Sequence, residues 1–166
     1  MLDNKSLGNV VSELKGNISD GSTLSVVSAL FSLYAYDELK KELSKVSKFR
    51  LLVPSHGDEE GFIKNLPGNN LDRRLRSRLD VTRIARECAG WLKQKCEVRE
   101  LPSAVHQNLI HLSHTDSDAQ LAIVGSSSFT TDGLGIVPSE SHHMNTCFRS
   151  CDEARSLIKW FDELWA

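Results

Sequence analysis

The chain has 166 residues, 40% of them hydrophobic, and a formal net charge of −2. That length predicts one domain over residues 1–166, or a piece of a larger chain, with enough apolar side chains for a real core. The balanced charge carries no global signature of a polyanion binder, no apolar run approaches the ~20 residues that span a bilayer, and the opening "MLDNKSLGNVVSELKG" lacks the basic head and apolar centre of a secretory signal, so a cytoplasmic protein is expected.

The elements follow in order. Leu7, Val10, Val11, Leu14 and Ile18 recur at helical spacing and predict a helix that stops at Gly21-Ser22. "TLSVVSALFSL" (23–33) is apolar and β-branched and predicts a buried strand. "YDELKKELSKV" (36–46) predicts an amphipathic helix with Leu39, Leu43 and Val46 inward, and "FRLLVPS" a second buried strand stopped by Pro54. The stretch 55–70, "SHGDEEGFIKNLPGNN", has no period and predicts a loop. The longest helical pattern follows, "LDRRLRSRLDVTRIARECAGWLKQKC", with a stripe of Leu71, Leu75, Leu79, Ile84, Cys88, Trp91 and Leu92 and a change of register near Asp80, which is expected to cap a second helix. Short strands are expected at "EVREL", "AVHQNLIHL", "AQLAIVG" and "HHMNTCFR", with "SHTDSD" as a hairpin turn. A closing helix is expected over "DEARSLIKWFDELW", its inner face Ala154, Leu157, Ile158, Phe161 and Leu164. Helices alternate with strands early and strands gather late, which predicts an α/β domain with a mixed β-sheet flanked by helices on both faces.

The four cysteines, Cys88, Cys96, Cys147 and Cys151, lack the two-residue gap of a zinc knuckle and read as reduced thiols. A His106–His143 pair has no evident third ligand. No metal and no cofactor is expected.

The chemistry-bearing stretch is "LAIVGSSSFTTDGLG", residues 121–135, an apolar run leading into a glycine and three serines. On the strand before it, alternation places His106 and Asn108 on one face, about 7 Å apart. If the two strands form a hairpin, the serine turn meets the His106 end, gathering an imidazole, a carboxamide, hydroxyls and turn N–H groups able to hold an anion. By the same alternation His142 and His143 fall on opposite faces and do not share a site. The plainer readings are a core histidine at 106 and an ordinary strand-to-helix turn at the serines.

A strand with His-x-Lys followed by a strand ending Gly-Ser-Ser-Asn marks the phospholipase D-like superfamily, and "HQN" with "AIVGSSSFTTDGLG" resembles that motif in order and setting. "LRSRLDVTRIARECAGWLKQKCEVRE", "IKWFDELW" and the early "YAYDELKKEL…FRLLVPS" are similar to the phospholipase D-like domain at the N-terminus of bacterial Swi/Snf-type helicases, so the resemblance spans nearly the whole chain apart from residues 54–70. It implies a phospholipase D-like fold and a site in which His106 is the nucleophile that forms a phosphohistidine, without a metal. Asn108 stands where the family has lysine, Ser128 where it has asparagine, and His143 where it has an orienting acid, while Ser126 belongs to the turn. The spacing from His106 to Gly125 is longer than in the motif.

These departures have physical weight. Phosphoryl transfer depends on charge placed around the equatorial oxygens, and one lost preorganised donor costs about a hundred- to a thousandfold in rate. A histidine without its acid has no fixed tautomer. The resemblance therefore implies a degenerate accessory module, docking nucleic acid or assembling a complex in a helicase-like DNA-processing or defence protein. The alternative is a metal-independent nuclease or phosphodiesterase working through His106 in a homodimer. One half-motif per chain implies a homodimer or a partner such as helicase motor domains. A third alternative is a pure protein-interaction domain.

Arg73, Arg74, Arg76, Arg78, Arg83 and Arg86 crowd one helical stretch, offset in part by Asp72, Asp80 and Glu87. Such a stripe can track a nucleic-acid backbone, and its plainer reading is a solvated face with local salt bridges. No aromatic interleaves the arginines, which disfavours single-strand stacking there.

Overall fold

A computed structural model describes residues 1–54, 78–115 and 117–166. Among them the elements run α1 (Val10–Asn17), β1 (Thr23–Val27), α2 (Leu33–Lys45), β2 (Lys48–Pro54), α3 (Arg78–Lys95), β3 (Cys96–Leu101), β4 (Asn108–Ser113), β5 (Gln120–Gly125), β6 (Asn145–Arg149) and α4 (Asp152–Trp165). The six strands form one mixed sheet in the order β3-β2-β1-β4-β5-β6. β1 pairs parallel with β2, and β2 with β3; the remaining neighbours are antiparallel. The parallel pairs need long crossovers, which contain α2 and α3, whereas β4 and β5 are joined by a short turn.

Alternation along each strand sorts the core into two layers. Leu24, Val26, Phe49, Leu51, Val53, Ile110, Leu112, Leu121 and Ile123 pack with Val10, Leu14, Leu39, Leu43, Ile84, Cys88 and Trp91 of α1, α2 and α3. Val27, Leu52, Leu109 and Ala122 face the other way, onto Ala154 and Phe161 of α4. Each large side chain fully buried in this way contributes about 1.5–3 kcal/mol of transfer free energy. α4 is also held by Arg50, whose guanidinium lies 4.7 Å over the Phe161 ring and bonds Asp162 Oδ1 at 2.7 Å.

The structure trims three expected elements. The apolar run 23–33 is a strand only to Val27, because Ser32 caps α2 by accepting the Tyr34 N–H at 3.2 Å. Asp80 lies inside the continuous helix α3 and does not cap a second one. The strand expected over 104–112 begins at Asn108, and that expected over 142–149 begins at Asn145. The expected loop at 55–70 and the start of the arginine helix lie outside the described residues. No helix among the described residues is long and apolar enough to cross a membrane.

Candidate functional site

Three strand residues make one row across the sheet: Asn108 opposite Gly125, and Gly125 opposite Asn145. The serine turn leaves the sheet from the middle of this row and is clamped from both sides. Asn108 accepts the Ala29 N–H at 3.3 Å and donates to the Ser126 carbonyl at 3.2 Å. Asn145, buried, accepts the Ser127 N–H at 3.2 Å and donates to Ser127 Oγ at 2.8 Å. Phe129 then anchors the turn in the core, stacked 5.4 Å from Phe31, with its N–H on Ser28 Oγ at 2.9 Å.

Two glycines permit the close approach of the flanking segments. A Cβ at Gly125 would lie 2.2 Å from the Met144 carbonyl, and one at Gly133 would lie 2.2 Å from the Ser128 carbonyl. The serine turn is thereby pressed between the segment carrying His143 and Met144 and the segment carrying Asp132. The N-terminal segment reinforces both: Leu2 exchanges two backbone hydrogen bonds with Asn145, and Asn4 donates to the Gly133 carbonyl at 2.8 Å.

At this junction a chain of side-chain hydrogen bonds forms. Ser126 Oγ lies 3.3 Å from His143 Nδ1, and His143 Nε2 lies 3.2 Å from Asp132 Oδ2. The Met144 N–H donates to Ser126 Oγ at 3.1 Å. Ser126 is exposed and borders a cleft of about 570 Å³. Its lining combines His106, Gln107, Ser126 and His142 with the apolar Val124, Met144, Phe148 and Leu157.

The expected site residues are only partly brought together. His106 precedes β4, is exposed, and lines the cleft; among the described residues no hydrogen bond holds its ring. Asn108 does not join it, because both ends of its carboxamide are committed to backbone. Ser128 uses its carbonyl to accept the Thr130 N–H at 2.8 Å and does not line the cleft. His143 is in the site, bonded to Ser126 and not to His106. His142 and His143 both precede β6, so strand alternation does not govern them; His142 borders the cleft and its Nδ1 lies 3.4 Å from Lys5 Nζ, whereas His143 turns to Ser126 and Asp132. Asp132 and Asn145 are not singled out by the sequence. The one signal for Asp132 is its place in "TTDG", directly after the serine turn.

Of the arginines, Arg73, Arg74 and Arg76 lie outside the described residues and Arg78 opens α3. Arg83 bonds Glu87 at 3.1 Å, and Lys40 bonds the same carboxylate at 3.3 Å; together they hold it below the usual carboxylate range. Arg86 borders a groove of about 670 Å³ between α2 and α3, with Lys40, Lys95, Tyr36 and Trp91 in its walls. The four cysteines are free, and burial pushes the Cys88 and Cys96 thiols up to about 12. Among the described residues no group of three or more His, Cys, Asp or Glu side chains is placed to hold a metal ion.

No family model matches this chain, and no curated protein matches it.

Proposed function

We propose that this domain is a degenerate phospholipase D-like accessory module that docks nucleic acid, without phosphohistidine chemistry, within a helicase-like assembly. The observation that carries the reading is Asn108. The position where the family places a lysine holds a neutral carboxamide tied to the backbone of Ala29 and Ser126. Among the described residues no lysine or arginine lines the cleft around His106, so a pentacoordinate phosphorus there would lack the lining cation that phosphoryl transfer relies on.

Docking is assigned to the other side of the sheet. Arg86, Lys40 and Lys95 line the α2–α3 groove together with Glu87, which Lys40 bonds at 3.3 Å, and the cationic excess binds phosphates through release of condensed counterions. Gel shifts with duplex and single-stranded DNA in EDTA, at stepped salt, test this. Replacing Arg86 and Lys95 together by Ala is expected to lower the log–log salt slope by about 1–2. Binding that ignores both salt and these substitutions overturns nucleic-acid docking and leaves a protein-interaction role. Cleavage of DNA in EDTA that disappears in His106→Ala overturns the degenerate reading in favour of a phosphodiesterase.

A further inference from the structure

The hydrogen-bond chain at the serine turn is not used by docking or by His106. We propose that Ser126 is the nucleophile of an acyl-transfer activity, with His143 as its general base and Asp132 positioning His143, and that its substrates are esters with a compact apolar acyl group.

The tautomer follows from the partners. An ionised carboxylate only accepts hydrogen bonds, so His143 Nε2 carries the proton shared with Asp132 Oδ2. His143 Nδ1 is then a bare lone pair 3.3 Å from Ser126 Oγ, and it takes the hydroxyl proton. The ring presents Nδ1 to the serine and Nε2 to the carboxylate, but the logic needs only one accepting and one donating nitrogen. The Met144 N–H on Ser126 Oγ, at 3.1 Å, steadies the oxygen and stabilises negative charge that develops on it.

Burial supports a working site over a surface coincidence. The side chain of His143 is 11% exposed and that of Asp132 26%, whereas Ser126 is open to the cleft. Asp132 Oδ1 is buried with no hydrogen-bond partner among the described residues. Buried polar atoms without partners are rare and concentrate where a structure holds groups for function.

The cleft sets the substrate class. Its volume, about 570 Å³, lies in the range of small-molecule pockets. Val124, Met144, Phe148 and Leu157 give the cleft an apolar lining suited to an acyl chain, and His106 and Gln107 are polar residues on it. Among the described residues no lysine or arginine is part of its lining.

In the reaction Ser126 Oγ attacks the ester carbonyl carbon as its proton passes to His143 Nδ1. The tetrahedral adduct collapses, the bond to the alcohol oxygen breaks, and that oxygen leaves with the proton from His143. Water then attacks the acyl-serine, giving one proton to His143. Breaking of the acyl–Oγ bond releases the carboxylic acid, and Oγ recovers the proton. The sum is ester plus water to acid plus alcohol.

The test uses the whole chain with a fluorophosphonate probe and with p-nitrophenyl butyrate. One probe per chain, mapped to Ser126, is expected, together with ester hydrolysis above buffer. Ser126→Ala abolishes both, and His143→Gln lowers hydrolysis by about 10²–10⁴. Asp132→Asn also lowers it, in kcat with KM unchanged, since the carboxylate that positions His143 is gone. Melting curves for each variant separate chemistry from folding. Folded wild-type protein that neither hydrolyses the ester nor takes the probe overturns the proposal, as does labelling that persists in Ser126→Ala. Ser126→Ala leaves the DNA gel shift unchanged, so this reading and nucleic-acid docking fail separately.

Discussion

Among the described residues serine hydroxyls meet a histidine ring at two places, at opposite ends of β4. Beyond Ser113, His114 Nδ1 lies 3.1 Å from both Ser19 Oγ and Ser22 Oγ. Before Asn108, the serine turn offers Ser126 to His143 at the longer distance of 3.3 Å. The closer contact has the weaker claim to chemistry. Among the described residues no carboxylate bonds the other nitrogen of His114, and its hollow of about 310 Å³ is lined by Ser19, Asp20, Thr115, Ser117 and Ala119, with no apolar wall. Hydrogen-bond length alone therefore does not mark a nucleophile. What separates the two ends is a partner on the far side of the imidazole and a cleft with room and chemistry for a substrate.

Four changes break or sharpen this contrast. Gly125→Ala has the largest expected effect, because its Cβ would sit 2.2 Å from the Met144 carbonyl and 2.8 Å from Asn145 Cα. Backbone has to move there, at a cost of about 1–3 kcal/mol or more, read as a lowered melting temperature together with loss of ester hydrolysis. Asn108→Lys places an ammonium at the serine turn but leaves the Ala29 N–H and the Ser126 carbonyl without their present bonds. A loss of about 1 kcal/mol per bond is expected in denaturant titration, with no EDTA-resistant nuclease activity gained.

The third change concerns His111, buried between the two ends with Nε2 3.2 Å from Gln120 Oε1. Burial holds its imidazole below the ordinary value. The unfolded chain takes up a proton near pH 6.5, about the unperturbed value, while the folded one resists it. The contribution to stability is thus full above that pH and declines as pH falls below it. Melting temperatures from pH 7 to 5 are expected to drop in the wild type and to drop less in His111→Gln. The smallest effect belongs to His114→Ala, which is expected to change stability by about 1 kcal/mol or less and to leave probe labelling of Ser126 unchanged.

Legibility in the sequence follows regularity. α4 has the bounds its apolar stripe gives, Asp152–Trp165, and the two core layers follow the alternation of β1, β2, β4 and β5. Periodicity fails where a local bond competes with it, as at Ser32, whose cap on Tyr34 turns a uniformly apolar run from strand to helix. It also fails at the site, because Ser126, Asp132 and His143 all sit on irregular backbone. Their meeting depends on two glycines that let backbones touch, and no spacing rule encodes that. His143 was legible as a candidate only through resemblance, and its actual partners differ from those the resemblance implied.

The exchange of backbone hydrogen bonds between Leu2 and Asn145 has a mechanical consequence. Tension applied at the start of the chain loads two bonds at the rim of the sheet, while the interior ladders bear none of it at first. A stretched molecule would let go there before its β-ladders part, and the residue released is the one that grips Ser127. A weak tug on the first residues is thus transmitted straight to the serine turn.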